Sequence, residues 1–253
     1  MNSISSLYGL IGFPIDHSFS KKIFDQKFLS QNIIDSQYEL FAIENISDLN
    51  SILSKNNNLK GLNVTIPHKV AIIPYLDEMD ETALAVGAVN MIKIINKDNN
   101  KKHLVGFNTD VYGFKQSIKP FLDINHEKAL ILGNGGAAKA VSWVLNKMGI
   151  VCNFVSRNPS KSNELNYKDL NEWVIKSHLL IINTTPLGTY PNIDEFPPIP
   201  YEFITENHLL YDLTYNPGET TFLKKGKLAG SQILNGQSML EIQAEKAWEI
   251  WNS

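Results

Sequence analysis

Short apolar runs alternate with helical patterns in the first part of the chain. Short apolar runs bounded by polar residues indicate strands, whereas apolar residues that recur every three or four positions indicate helices. The predicted strands are Leu7–Ile11, Tyr38–Ala42 and Leu59–Val64, and the predicted helices are Ser20–Ser30 and Ile46–Leu53. After Pro67 we expect a helix whose first turn carries Lys69. Two strands joined by a polar turn are expected next, Val89–Ile95 and His103–Phe107.

A second alternation of strands and helices begins near Lys128. Its predicted strands are Ala129–Leu132, Val151–Val155, Leu179–Ile182, Leu209–Leu213 and Gln232–Leu234, and its predicted helices are Gly136–Met148 and Ser238–Trp251. This alternation favours a parallel sheet with helices on both faces. We therefore predict an α/β fold with a parallel sheet, arranged in two domains. Residues 1–105, with a returning helix in 236–253, form the first predicted domain, and residues 106–235 form the second.

The composition is that of an ordinary globular protein, with 253 residues, 43% hydrophobic and 19% charged. A net charge of −3 gives no reason to expect nucleic acid or an anionic membrane as a partner. The apolar run Leu7 to Phe13 is short and has no basic residue before it, so we expect neither a signal peptide nor a membrane span. A cytoplasmic enzyme is the expectation that follows. The single cysteine, Cys152, excludes an intrachain disulfide and is expected to be a small buried residue. The histidines lack metal-ligand spacing, so no metal site is expected, and His17 and His68 are expected to be structural or peripheral.

A glycine-rich turn, Gly133-Asn134-Gly135-Gly136-Ala137, follows an apolar strand and opens a helix of small residues. Such glycines let the chain turn tightly and let its backbone approach a pyrophosphate, while the helix N-terminus supplies free N–H groups. A tight strand-to-helix connection without a ligand is the alternative. The next strand ends in Ser156-Arg157-Asn158, with an arginine where an NAD site has a carboxylate. That arginine suits the 2′-phosphate of NADP, although a solvated surface arginine is also common.

A lysine and a carboxylate are surrounded by neutral polar residues in the first part of the chain. Lys69 and Asp110 are the charged pair. The neutral candidates are Ser18, Ser20, Asn63, Thr65 and Asn90. Such a set suits a polyhydroxylated substrate, and the pair could transfer the proton that interconversion of a ketone and an alcohol requires. Taken singly, Lys69 also suits an exposed helix lysine, and Asp110 also suits an N-cap for a helix beginning at Val111.

The ordered set of motifs resembles the shikimate dehydrogenase family from Gly12 to about Gln243. The matching elements are Asn63 to Lys69, Gly87-Ala88-Val89-Asn90, Asn108-Thr109-Asp110, Gly133 to Ala137, Asn183-Thr184-Thr185-Pro186-Leu187-Gly188, Asp212-Leu213-Thr214-Tyr215-Asn216-Pro217, and Asn235-Gly236 through Gln243-Ala244. The resemblance implies reversible, NADPH-dependent reduction of 3-dehydroshikimate to shikimate, on the route to chorismate and the aromatic amino acids. It also implies two α/β domains with a cleft between them, an N-terminal α/β substrate domain and a Rossmann-like dinucleotide-binding domain with a parallel sheet. A C-terminal helix that returns to the first domain is implied as well.

By the same resemblance, Lys69 is the catalytic acid/base and Asp110 its partner. The implied substrate-binding residues are Ser18, Ser20, Asn63, Thr65, Asn90, Tyr215 and Gln243. The implied cofactor-binding residues are Gly133, Asn134, Gly135, Gly136, Ala137, Ser156, Arg157, Asn158, Thr184, Leu213, Gly236 and Met239.

Two departures from the family pattern bear on these expectations. Lys21 stands where the family often has proline, and Phe24-Asp25 stands where the family often has His-Asn. These positions are expected to support the fold and to lie outside the site. The residues implied to bind the 2′-phosphate, here called the cofactor clip, are Ser156-Arg157-Asn158, where the family usually has Asn-Arg-Thr. The arginine is kept, and how strongly NADP is preferred over NAD stays open.

Three other functions stay open at this point. They are a quinate or dual quinate/shikimate dehydrogenase, a methylenetetrahydrofolate dehydrogenase, and a dinucleotide-binding protein without catalysis. The Ser18/Ser20 loop and Asn108-Thr109-Asp110 argue against the second, and the presence of both Lys69 and Asp110 argues against the third. No nucleic acid or membrane partner is expected, and the chain is predicted to be a monomer or a homodimer.

Overall fold

A computed structural model describes residues 4–16, 18–97 and 101–253, and His17 therefore lies outside the described residues. The chain forms two compact units. The first comprises Met1–Tyr112 and Glu241–Ser253, and the second comprises Gly113–Leu240. None of the helices in the described ranges is long and apolar enough to cross a membrane.

The elements alternate along the chain as the apolar pattern predicts. The strands are β1 (Ser6–Gly12), β2 (Ser36–Ala42), β3 (Leu59–Val64), β4 (Glu78–Met79), β5 (Met91–Asn96), β6 (Lys102–Phe107), β7 (Lys128–Leu132), β8 (Val151–Ser156), β9 (Glu164–Asn166), β10 (Leu180–Asn183), β11 (Leu209–Asp212) and β12 (Gln232–Leu234). The helices are α1 (Ser20–Ser30), α2 (Leu49–Lys55), α3 (His68–Ala71), α4 (Glu81–Val86), α5 (Thr109–Ile118), α6 (Gly136–Lys147), α7 (Glu172–Ser177), α8 (Thr221–Leu228) and α9 (Gln237–Trp251).

The first unit contains a mixed six-stranded sheet in the order β2-β1-β3-β5-β6-β4. β1 pairs in parallel with β2 and β3, whereas β5 runs antiparallel to both β3 and β6. The predicted pair of strands around the polar turn is confirmed as β5 and β6. The predicted helix over Ile46–Leu53 instead begins as a 3₁₀ turn, Ile46–Asp48, before α2.

The second unit contains a six-stranded sheet in the order β12-β11-β10-β7-β8-β9, in which every pair is parallel. Counted from the first strand of this unit, the order is that of a doubly wound dinucleotide-binding sheet. In such sheets ligands bind beyond the carboxyl ends of the strands. The Rossmann-like parallel sheet that the sequence predicts is therefore confirmed.

The sheet of the first unit is buried on both faces, and β1 shows why its sequence is almost continuously apolar. Leu7 and Ile11 pack into one core cluster with residues of α2, whereas Tyr8 and Leu10 pack into another with residues of α1 and α9. Because side chains alternate along a strand, a strand covered on both faces needs apolar residues at successive positions. Trp251 of α9 completes the second cluster and donates its indole N–H to the carbonyl of Ile92 at 2.9 Å.

Candidate active site

Lys69 and Asp110 form a close ion pair inside the first unit. The Lys69 Nζ lies 2.5 Å from Oδ2 of Asp110, and their side chains are only 16% and 8% exposed. Lys69 lies in the short helix α3, as the sequence predicts. The ring of His68 is buried beside it, with Nε2 2.8 Å from the carbonyl oxygen of Ile43, and this contact anchors the start of α3. The alternative of an exposed helix lysine is therefore wrong for Lys69.

The alternative interpretation of Asp110, as an N-cap, is also wrong. Helix α5 begins at Thr109 and not at Val111, so Asp110 lies in its first turn. The cap is Asn108, whose Oδ1 accepts the backbone N–H of Val111 at 3.3 Å. The amide nitrogen of Asn108 also donates to the carbonyl of Ala88 at 2.8 Å. Because Asn108 satisfies the helix terminus, the Asp110 carboxylate is left to face Lys69.

Asn90 holds the other oxygen of that carboxylate. Its Nδ2 lies 3.0 Å from Oδ1 of Asp110, 3.0 Å from Oγ1 of Thr109 and 3.3 Å from Oε1 of Gln243. Thr109 donates its backbone N–H to Oδ1 of Asn90 at 2.7 Å and its hydroxyl to Gln243 at 3.1 Å. These bonds connect Asn90, just before β5, with Thr109 and Asp110 at the start of α5 and with Gln243 of α9. Thr109 was not among the predicted site residues, although its place between Asn108 and Asp110 was a signal for it.

The remaining polar candidates of the first unit form two smaller groups. The hydroxyl of Ser18 donates to that of Ser20 at 3.3 Å. Asn63, near the end of β3, accepts the hydroxyl of Tyr38 on Oδ1 at 2.8 Å. Thr65 is half-buried just after the strand. Among the described residues, no side-chain hydrogen bond links the two serines or Thr65 to the Lys69 network.

The amide nitrogen of Asn63 is a buried donor that lacks a hydrogen-bond partner among the described residues. Leaving such a donor unpaired costs about 1–3 kcal/mol. An unpaired, buried N–H group suits a ligand with acceptor oxygens. The donor types in this unit therefore match an oxygen-rich small molecule.

The glycine-rich turn of the second unit connects β7 to α6. Gly133 has a φ of +105°, and a Cβ there would lie 2.8 Å from Oγ1 of Thr184. Gly135 differs, because its φ is −76° and an added Cβ would meet no atom within 4 Å. Conformation and packing therefore require glycine at Gly133. The open space at Gly135, at the N-terminus of a 12-residue helix, fits a phosphate group that approaches the backbone.

The other predicted residues of the turn keep that approach clear. Asn134 is exposed, and Gly136 and Ala137 are half-buried in the first turn of α6. The hydroxyl of Thr184, by contrast, is already used, because it donates to the carbonyl of Leu132 at 2.7 Å. Thr184 therefore supports the turn through this bond.

The end of β8 carries the predicted cofactor clip. The hydroxyl of Ser156 is buried and has no hydrogen-bond partner among the described residues. Arg157 and Asn158 are exposed, and no described carboxylate forms an ion pair with Arg157. Burial raises the pKa of Tyr167, and the positive charge of Arg157 opposes that rise. An unpaired hydroxyl beside an available guanidinium fits the 2′-phosphate end of NADP.

A buried carboxylate, Asp212, organises the carboxyl ends of β10 and β11. It accepts the amide of Asn183 at 3.0 Å, the backbone N–H of Thr214 at 3.0 Å and the hydroxyl of Thr220 at 2.6 Å. Burial raises the pKa of Asp212, and these hydrogen bonds act in the opposite direction. Thr220 is also the N-cap of α8. One side chain thus ties together two strand ends and a helix start, although the sequence singled it out only as part of a motif.

The residues predicted to lie near the nicotinamide occupy this part of the second unit. Leu213 and Tyr215 follow Asp212 on the loop after β11. A Cβ on Gly236 would collide with the carbonyl of Leu213, so glycine permits the close approach of these two segments. Met239 is buried in the first turns of α9.

Two other kinds of chemistry find no support in the described residues. Burial raises the pKa of the Cys152 thiol to about 11, which keeps it protonated and unreactive as a nucleophile. Within residues 4–16, 18–97 and 101–253, no group of three or more histidine, cysteine, aspartate or glutamate side chains could hold a metal ion.

Comparison with known proteins gives consistent matches over nearly the whole chain. Residues 10–92 match the family model described as the shikimate dehydrogenase substrate binding domain. A curated relative from Methanosphaera stadtmanae, named shikimate dehydrogenase (NADP(+)), is 40% identical over 261 residues. The alignment covers 96% of this chain and 90% of that relative.

Solved structures show the same architecture. A chorismate mutase/shikimate 5-dehydrogenase fusion protein from Clostridium acetobutylicum is 35% identical, with a TM-score of 0.85 over 100% of this chain and 92% of that chain. Quinate dehydrogenase from Corynebacterium glutamicum in complex with NAD is 26% identical, with a TM-score of 0.83 over 98% of this chain and 93% of that chain. Likeness of fold therefore extends to an enzyme named for a different substrate.

Proposed function

Because this chain belongs to the shikimate dehydrogenase family, we propose that it catalyses the reversible, NADPH-dependent reduction of 3-dehydroshikimate to shikimate. It is an NADP-dependent oxidoreductase that acts on a CH–OH group, in the route to chorismate and the aromatic amino acids. The observation that carries the chemistry is the buried contact between Lys69 and Asp110, 2.5 Å long. A lysine held in this way can move the proton that accompanies oxidation of an alcohol.

In this proposal Lys69 exchanges a proton with the oxygen of the reacting carbonyl or hydroxyl group. It gives the proton during reduction and takes it back during oxidation. Asp110 keeps the ammonium group at a fixed position, and Asn90 fixes Asp110 in turn. Positions held to within a fraction of an ångström are what a proton-transfer step requires.

The substrate is held by neutral donors and acceptors around this pair. The proposed substrate-binding residues are Ser18, Ser20, Asn63, Thr65, Asn90, Tyr215 and Gln243. The unpaired Nδ2 of Asn63 supports this assignment, because it would gain an acceptor when substrate binds.

NADP supplies the hydride acceptor and donor when it is bound. The open backbone at Gly135 and the N-terminus of α6 would hold its pyrophosphate, with Gly133, Asn134, Gly136 and Ala137 shaping the turn. Ser156, Arg157 and Asn158 would bind the 2′-phosphate. Leu213, Gly236 and Met239 would face the nicotinamide, and Thr184 would support the turn.

The first unit is accordingly the proposed substrate domain, and the second is the proposed NADP-binding domain. A cytoplasmic location and a monomeric or homodimeric state stay predictions.

Quinate is the second candidate substrate, and the likeness to quinate dehydrogenase supports keeping it. The decisive experiment follows reduction of NADP by absorbance with the purified chain and shikimate. Quinate and NAD serve as crossed controls. Turnover that is much faster with shikimate and NADP than with any other pair supports the proposal. Equal turnover with quinate would indicate dual specificity. No turnover with any pair, together with normal NADP binding, would instead favour a catalytically silent dinucleotide-binding protein.

A further inference from the structure

We propose that Tyr38 is a positioning residue for substrate binding, because its hydroxyl fixes the orientation of the Asn63 amide. The inference rests on the proposed function, in which Asn63 contacts shikimate. It adds a residue outside the predicted site, one that acts through Asn63.

The contact between the two side chains passes over strand β1. β2 and β3 flank β1, and the Tyr38 hydroxyl donates to Oδ1 of Asn63 at 2.8 Å. Tyr38 is 0% exposed and Asn63 is 6% exposed. A carboxamide has an acceptor and a donor of similar size, so it can turn either way unless a neighbour distinguishes them. A hydroxyl that donates to the carbonyl selects one orientation.

That orientation decides what the site offers to a ligand. With Oδ1 taken by Tyr38, the amide nitrogen faces away from the hydroxyl, and it is buried without a partner among the described residues. It therefore presents N–H groups to an acceptor, such as a carboxylate or hydroxyl oxygen of the substrate. The reversed amide would present a carbonyl oxygen there and would repel those same acceptors.

The ring of Tyr38 is held independently of its hydroxyl. Phe24 stacks on it, with the centroids 4.4 Å apart and the planes 8° from parallel. Phe24 stands at one of the positions where the chain departs from the family pattern, so this ring stack is a feature of this sequence. Lys21, at the other departure, donates from Nζ to the carbonyl of Tyr38 at 2.5 Å. Removal of the hydroxyl alone therefore leaves the packing in place.

The test compares two phenylalanine variants of the full chain. Tyr38→Phe removes the hydroxyl that contacts Asn63. Tyr8→Phe is the matched control, because Tyr8 is a buried tyrosine of the same aromatic cluster, with its ring 4.8 Å from that of Trp251. We expect Tyr38→Phe to raise the calorimetric Kd and the KM for shikimate roughly five- to tenfold, with kcat and the Kd for NADP within about twofold of wild type. Tyr8→Phe should leave all four values within about twofold.

A double-mutant cycle shows whether Tyr38 acts through Asn63. In an Asn63→Ala background, Tyr38→Phe should cause no further loss of shikimate affinity. Losses that multiply, or an unchanged shikimate Kd in a folded Tyr38→Phe variant, would overturn the inference while leaving the proposed function intact. Wild-type protein that binds no shikimate would overturn the proposed function, and the inference with it.

Discussion

The lysine–carboxylate pair of the first unit and the glycine-rich turn and arginine of the second unit present their polar groups in opposite ways. In the first, Lys69, Asp110 and Asn90 bond to one another and are already fixed in place. In the second, the backbone at Gly135 is open and the Arg157 side chain is exposed. A proton-transfer group works best when its position is set before substrate arrives, whereas a phosphate site must leave its donors available. Changes at Lys69 and Asp110 should therefore affect turnover, and changes at Gly135 and Arg157 should affect cofactor affinity.

The largest expected effect comes from Lys69→Ala. Removal of the proton-transfer group should lower kcat by roughly a hundredfold to ten-thousandfold, with the Kd for NADP within about twofold of wild type. Steady-state kinetics and NADP titration of one preparation measure both. Exposed Lys115 provides the control, since Lys115→Ala should retain wild-type kcat. Near-normal turnover of Lys69→Ala would remove Lys69 from the mechanism.

The two glycines of the turn in the second unit have different expected roles, because Gly133 is required by its conformation and Gly135 is proposed to leave room for the cofactor. Gly133→Ala places a Cβ at positive φ against Thr184 and should lower the free energy of unfolding by about 1–3 kcal/mol. Gly135→Val fills open space where the pyrophosphate would lie. It should weaken NADP binding at least about tenfold, with little loss of stability and unchanged shikimate affinity. Unchanged NADP affinity in a folded Gly135→Val variant would contradict the proposed pyrophosphate site at Gly135.

Arg157→Ala tests the clip for the 2′-phosphate. Loss of a charged hydrogen-bond donor should raise the KM for NADP roughly tenfold or more and leave the KM for NAD nearly unchanged, since only NADP carries this phosphate. The ratio of the two KM values is the measurement. Equal effects on both cofactors would mean that the arginine contributes no selectivity.

The smallest expected effect is a pH dependence that originates in the second unit. His126, His178 and His208 are buried just before β7, β10 and β11, and burial lowers the pKa of each below 6.5. The unfolded chain therefore takes up protons first, so the free energy of unfolding should fall as the pH drops below about 6.5. Urea unfolding at several pH values measures this. A His178→Gln variant should show a shallower fall, and a flat profile in the wild type would contradict the argument.

Much of the fold follows from local apolar patterns. The predicted bounds of Ser20–Ser30, Leu59–Val64 and Gln232–Leu234 coincide with α1, β3 and β12. The elements that the sequence did not reveal are short. β4 and β9 have two and three residues, and α4 and α7 have six each, too few for a helical or alternating period to emerge. Helix α8 was also missed, and its lysines and Gly226 weaken its apolar pattern.

The site was predictable in its residue types and less so in its contacts. Lys69 and Asp110 were recognised as a pair from their motifs. Asn90 contacts Gln243 across 153 positions, and no local pattern carries that information. Asp110 was open to interpretation as a cap because the true cap, Asn108, is identified only by its bond to Val111. Such tertiary hydrogen bonds depend on how strands and helices meet.

A double-mutant cycle on kcat tests whether Lys69 and Asp110 act as one proton-transfer unit. Lys69→Ala, Asp110→Asn and the double variant would be assayed with shikimate and NADP at saturation. Residues that act as a unit give strongly non-additive losses. We expect the double variant to be about as slow as the slower single variant. Losses that multiply would show that Lys69 and Asp110 contribute independently and do not act as a unit.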